Sequence, residues 1–391
     1  MFAKMKTTRF LFPALLCALS LASCDKNHPF DIPEESQGIF SLSDVAKMLS
    51  DLPLENEHLD EVYDAVSASS GHGYDEEYLL SDLFTAPGAG VGDEGRPTKA
   101  GGYKTPLREL FTDYLASKYG TKAGAADVEE YINALTSSDM QIYWPYSENW
   151  DGKSFPIVTF DPGFGADVNY GYEVRIDRHG AHVVDSILVT EQIAKERPVW
   201  VINRNDDAAF TPLELFEERS TKAGKNPGKQ PDEYVLSIES FQANRNYDSW
   251  FGGASEFFIK CGAADGFKAT KEEDLRKFTP SVTDFMVVVR RNQIGKKLPI
   301  STVLLSCYTE QMEDIAFMII EDDGGTTTSW KCSATVKYNS KSYGFDLEIP
   351  YKDKDDIVWR GPLSRKMLQP VLEQGTMTRK FVDVEITFAA E

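Results

Sequence analysis

Residues 235–260 read VLSIESFQANRNYDSWFGGASEFFIK. An apolar run alternating with polar positions gives way to Asn244-Arg245-Asn246-Tyr247-Asp248, then to Gly252-Gly253-Ala254-Ser255-Glu256, then to a second apolar run. Alternation at period two is the pattern of a strand with one face in a core, and Asn, Asp and Gly are the residues that let a chain turn. The stretch predicts strand, loop, strand. The same rhythm continues through 285–290, 301–308, 315–320, 332–338, 342–349, 356–359 and 381–388. Many short strands between polar turns predict an antiparallel β-sandwich over residues 233–391.

Upstream lies a break at 221–232, where Lys222, Gly224, Pro227, Gly228 and Pro231 predict a linker. Residues 140–220 read as a β-rich α+β domain, with strands at 141–146, 156–160, 172–176, 182–189 and 198–203 and a closing helix at 213–219. Residues 39–139 read as a small helical domain. Ser43-Asp44 offers a cap for 45–52, which stops at Pro53; Leu59, Val62 and Val66 share a helical face; Tyr78, Leu79, Leu80 and Leu83 suggest another helix over 75–84. Pro106 opens a helix lined by Leu107, Leu110, Phe111, Tyr114 and Leu115, and Asp127 opens one with Tyr131, Ile132 and Leu135 inside. The expected fold class is therefore α+β multidomain: helical domain, β-rich middle domain, C-terminal antiparallel β-sandwich.

The N-terminus has a basic head (Lys4, Lys6, Arg9), an apolar run over 10–22, and then Leu21-Ala22-Ser23-Cys24 followed by polar Asp25-Lys26-Asn27. The run is shorter than the roughly 20 residues a bilayer span needs, and this order of parts is that of a secretory signal. Leu-Ala-Ser-Cys resembles the lipobox of bacterial envelope lipoproteins, of the Bacteroidetes type. That resemblance implies a signal over 1–23, a covalent diacylglyceryl group with fatty acyl chains such as palmitate on Cys24, and a tether over 24–38. It also implies a cell-envelope location, on the outer membrane facing the periplasm or the surface. The implied partners are the membrane, through the lipid, and an envelope protein or glycan.

The chain of 391 residues carries a formal net charge of −21, more acidic still without its basic head. No basic stretch outside the signal provides a grip on a polyanion, so nucleic acid is not an expected partner. Of the five cysteines, Cys17 falls in the signal and Cys24 at the lipobox. Cys261, Cys307 and Cys332 remain, open to one disulfide or to three buried thiols, and no Cys-x-x-Cys spacing suggests redox or zinc chemistry. There is no His-Glu-x-x-His and no Gly-x-Ser-x-Gly. His179 and His182 flank a turn without a third ligand, and the glycine-rich run 87–93 lacks the Gly-Lys-Ser/Thr ending of a phosphate loop. Thr-Lys-Ala-Gly recurs at 98–101, 121–124 and 221–224, too unevenly for a structural repeat.

Acids at two strand ends remain: Asp248 to Glu256 ahead of one apolar run, and Glu321-Asp322-Asp323-Gly324-Gly325 after another. The pattern resembles the C2 domain, a β-sandwich that holds Ca²⁺ between acid-bearing loops at one tip. Asp248, Gly252, Ser255 and Glu256 follow one of its loops, and Glu321 and Asp323 follow another. The sequence departs from that family where Glu256 replaces an aspartate, Phe257 a proline, and no third acid follows Asp323. The resemblance implies Ca²⁺ on Asp248, Glu256, Glu321 and Asp323, hard oxygen ligands of the kind this ion takes. Together these features predict a membrane-anchored, non-catalytic binding or interaction protein. The alternative is an envelope hydrolase of polysaccharide or peptide, using carboxylates of the middle domain, where Tyr143, Trp144, Tyr146 and Trp150 could stack on sugar rings. A third reading is an assembly subunit that adds strands to a partner.

Overall fold

Three residues inside the helix expected over 75–84, Glu77–Leu79, form the first strand (β1) instead. They pair antiparallel with β2, Met140–Tyr143, in the register Glu77↔Tyr143, and only then does a short helix, α3 (Leu80–Phe84), begin. A three-residue strand is too short to show a period, so its partner strand decides it. The computed structural model describes residues 39–85, 106–119, 125–176, 178–179, 182–205, 213 and 233–391. The signal, Cys24, the tether, the glycine-rich run, the three Thr-Lys-Ala-Gly copies, the linker and all of the closing helix but Leu213 lie outside them.

The other N-terminal helices are α1 (Leu42–Asp51), α2 (Asn56–Gly71), α4 (Leu107–Tyr119) and α5 (Ala125–Thr136). Ser41, rather than Ser43, caps α1: its hydroxyl accepts from Asp44 N, and the Asp44 carboxylate accepts from Ser41 N in return. The middle strands are β3 (Ile157–Phe160), β4 (Val168–Ile176), β5 (His182–Thr190) and β6 (Val199–Arg204), with α6 (Glu191–Glu196) before the last. With β1 and β2 they form one six-stranded sheet in the order β1-β2-β6-β3-β4-β5, antiparallel except for β3 beside β6. The helices cover one face of it. Val45, Leu49, Leu59, Leu83 and Phe111 share a single core with Ile142, Trp144, Val158, Trp200 and Ile202. An amphipathic helix buries its stripe against whatever apolar face is nearest. Here that face is the sheet, so position 139/140 runs through a shared core.

The C-terminal strands are β7 (Glu233–Ala243), β8 (Ser255–Ala263), β9 (Ser281–Val289), β10 (Leu298–Thr309), β11 (Met312–Glu321), β12 (Thr327–Tyr338), β13 (Lys341–Lys352), β14 (Asp356–Ser364), β15 (Thr376–Phe381) and β16 (Val384–Ala390). Two helices join them, α7 (Glu272–Lys277) and α8 (Arg365–Gln374). One sheet runs β10-β7-β16-β15 and the other β13-β12-β11-β8-β9, with β14 also paired to β11. All their pairings are antiparallel, and Leu236, Ile238 and Phe388 of one sheet meet Phe257, Ile259 and Phe317 of the other. This is the expected antiparallel sandwich. β8 is buried at every position, because Phe258 on its outer face packs with Met318 and Ile349 beneath Trp330 and Leu347.

Two local readings are corrected. The run 381–388 is a hairpin rather than one strand, turning where Val382 adopts φ 53°. Leu213, expected in the middle domain, is buried in the sandwich core.

The sandwich and the middle sheet meet through the loop between β7 and β8. Trp250 and Phe251 sit in a cluster with Tyr143, Ile157, Val189, Val199 and Val201 of the middle sheet. The Trp250 indole N–H donates to Asp167 O at 2.9 Å, and the Asn203 amide donates to Phe251 O at 3.1 Å.

Candidate metal centre

Antiparallel pairing brings three strand ends to one place. The last residue of β11, Glu321, stands opposite Phe257 near the start of β8 and opposite Asp356 at the start of β14. Asp322 N continues the ladder by donating to Glu256 O at 3.0 Å. The β7–β8 loop then folds back over these ends, because Ser255 Oγ accepts from Tyr247 N at 2.9 Å and Ser249 O accepts from Gly252 N at 3.0 Å. As a result Asp248, Glu256 and Glu321 each place one carboxylate oxygen within 4.8 Å of the other two. Glu256 and Glu321 are buried and Asp248 is half-buried.

Of the four residues read from the sequence, these three converge. Asp323 is exposed beside them, outside the group of three. Partial desolvation of its carboxyl, and then the charges of Asp248, Asp356 and Asp355, push it up to about 6. The chain leaves β11 after Glu321, so the alternation that would keep Glu321 and Asp323 on one side ends there. Asp322 turns inward instead and pairs with Lys352 Nζ at 2.7 Å. Asp355 is buried near it, its carboxyl also raised to about 6, first by burial and then by Asp322. Sequence reading missed Asp322, Asp355 and Asp161. Asp161 belongs to the middle sheet, and its charge, with that of Asp322, adds to the burial that raises Asp248. A hydrogen bond shared with the Glu321 carboxyl, and then the charge of Arg291, hold Asp248 down in turn.

The donor set fits a hard cation. All three converging groups are carboxylates, and a Ca²⁺–oxygen distance of about 2.3–2.6 Å lets ligands on opposite sides of the ion stand up to about 5 Å apart. Asp248 Oδ2 is buried and has no hydrogen-bond partner among the described residues. Such an atom keeps the full cost of desolvation unless something binds it. Two cations stand beside the acids: Arg291 bonds Glu191 and the Asp248 carbonyl, and Lys352 bonds Asp322.

A second acid group lies on the other side of the loop. Ala254 N donates to Asp75 Oδ2 at 2.8 Å. Gly253 permits this approach, since its φ is 141° and a Cβ there would stand 3.0 Å from the same oxygen. Beside Asp75, Glu76 is driven up to about 9 by burial and by the charges of Asp75 and Glu148.

The aromatics read as a sugar platform separate into two kinds. Tyr143 lies wholly in the core, whereas Trp144, almost wholly buried, and the half-buried Tyr146 and Trp150 line a cavity. Cys261, Cys307 and Cys332 are free thiols.

No family model matches the chain, and comparison with curated proteins finds no match. Among solved structures, one described by the words "CC2D1B coordinates ESRCT-III activity during the mitotic reformation of the nuclear envelope" is similar at 8% identity and a TM-score of 0.22, over 46% of this chain and 68% of that one. At that score the likeness carries no argument.

Proposed function

We propose that this chain is a lipid-anchored protein of a bacterial cell envelope, a non-catalytic binding protein whose C-terminal, C2-like sandwich holds Ca²⁺ at its strand ends. The observation that carries the cation is the convergence of Asp248, Glu256 and Glu321 within 4.8 Å. The anchor rests on the lipobox resemblance of Leu21-Ala22-Ser23-Cys24. The ion would do structural work: its ligands sit at the base of the loop that carries Trp250 and Phe251 into the middle sheet. Filling the site relieves repulsion among the acids and steadies that junction.

The hydrolase reading has weaker support. Of the cavity carboxylates, Glu173 is bound to Arg197 at 2.6 Å and to Arg175 at 3.4 Å. Asp151 is held below its usual range by hydrogen bonds from Ser154 and Lys153, the wrong direction for a general acid at neutral pH.

Thermal melts of the whole mature chain in millimolar Ca²⁺ and in chelator test the reading. A ligand bound only by the folded state stabilises by roughly 2.7 kcal/mol at a hundredfold excess over Kd, so Ca²⁺ should raise the melting temperature by several degrees. Mg²⁺ should act more weakly, because it demands tighter octahedral geometry. Asp248→Asn should abolish the response while melting like the wild type, or slightly higher, in chelator. Identical wild-type melts in Ca²⁺ and chelator would return these acids to uncomplexed strand ends.

A further inference from the structure

Away from the acid-lined strand ends, a cavity of about 460 Å³ opens on the middle sheet. Its walls are the segment after β2, the end of β4, and the connection from α6 to β6. The volume lies within the ~300–1,000 Å³ range of small-molecule sites. Tyr146, Trp150 and Phe155 give it aromatic walls, and Asp151, Glu173, Arg175 and Arg197 give it polar ones.

The aromatic walls are fixed in place. The Trp150 indole N–H donates to Ser154 O at 3.0 Å, and its ring packs 5.3 Å from both Trp144 and Tyr63. Asp151 holds the next turn by accepting from Lys153 N, Ser154 N and Ser154 Oγ. Tyr146 takes the left-handed conformation, φ 60° and ψ 30°, and its hydroxyl donates to Glu191 at 2.8 Å. A non-glycine residue is strained there and persists only where its surroundings impose it. Rings ordered before a ligand arrives spare the ligand that ordering cost.

The polar walls mix both signs. Glu173 bridges Arg197 and Arg175, and each guanidinium carries five donors, more than one carboxylate can accept. Glu196 also lines the cavity, so three acids face two guanidiniums and no strong field of either sign results. Planar donors and acceptors beside aromatic faces match a ring that is apolar on its C–H face and hydroxylated at its edge. We infer that this cavity binds a neutral saccharide unit, with Trp150 as the stacking face and Arg197 and Glu173 as hydroxyl partners. The inference is independent of the cation site, and it names the glycan class for a binding protein.

The test is titration of the whole mature chain, in chelator, with neutral tetrasaccharides of glucose, mannose, xylose and N-acetylglucosamine, and with tetragalacturonate as the anionic control. Calorimetry and tryptophan fluorescence provide the readouts. At least one neutral probe should saturate, in chelator as in Ca²⁺, so this result and the melt test of the cation site can fail separately. Trp150→Phe and Arg197→Ala should each weaken binding about tenfold or more. Arg197 is exposed, so its variant should melt like the wild type and separate lost binding from lost folding. The proposal falls if no neutral probe saturates, if tetragalacturonate binds as well as the best neutral probe, or if both variants bind like the wild type.

Discussion

Glu76 lies in the turn into β1 with 4% of its surface exposed, and burial beside Asp75 and Glu148 pushes its carboxyl up to about 9. An unfolded glutamate titrates near ~4.3. Between those two values the folded state keeps a proton that the unfolded chain has released, so stability falls as pH rises through that window. Glutamine keeps an oxygen for the Ser147 hydroxyl, which stands 3.3 Å from Glu76 Oε1, and has no proton to lose. The advantage of Glu76→Gln over wild type should therefore grow with pH, by up to about 1.4 kcal/mol per unit. Urea midpoints at pH 5, 6.5 and 8 measure it. A variant that tracks the wild type at all three would mean that Glu76 is charged in the fold.

The β7–β8 loop is the element on which the two sheets depend. Trp250 is 2% exposed, its ring lies 3.8 Å from that of Phe251, and both pack among middle-sheet residues while the loop's two ends belong to the sandwich. Truncating a buried tryptophan to alanine costs about 3–5 kcal/mol. Because the lost contacts join two layers, Trp250→Ala should also reduce coupling. Calorimetry should resolve one wild-type transition into two, or broaden it. A single sharp transition, merely lower in temperature, would show that the layers stay coupled without this loop.

The described residues, from 39 to 391, form one compact unit. At this scale the proposed membrane attachment rests on Cys24. Each buried acyl methylene contributes about 0.8 kcal/mol, and two or three chains hold a protein firmly on a bilayer. In a bacterial host, Cys24→Ser should abolish incorporation of labelled palmitate and leave the precursor uncut. Normal incorporation in the variant would remove the anchor from the proposal.

Local pattern determined what local physics can determine. Alternation over 235–260 and the runs after it was enough for the antiparallel sandwich, because a strand with one buried face must repeat every second residue. Helical spacing at Leu59, Val62 and Val66 was enough for α2. Asp248, Glu256 and Glu321 were legible as acids at strand ends, and pairing of neighbouring strands brings such ends together. Other features had no local signal. β1 is a strand because β2 lies beside it. Asp161, Asp322 and Asp355 reach the candidate centre from three separate segments, and sequence distance does not report that separation. Tyr143 looks like Trp144, Tyr146 and Trp150 along the chain, yet it is wholly core and the other three line a cavity. Burial depends on what packs against a side chain, and residues distant in the sequence supply that packing. The sequence by itself therefore determined the periodic elements and the chemistry available at their ends, while tertiary packing alone decided which faces were covered and which carboxylates met.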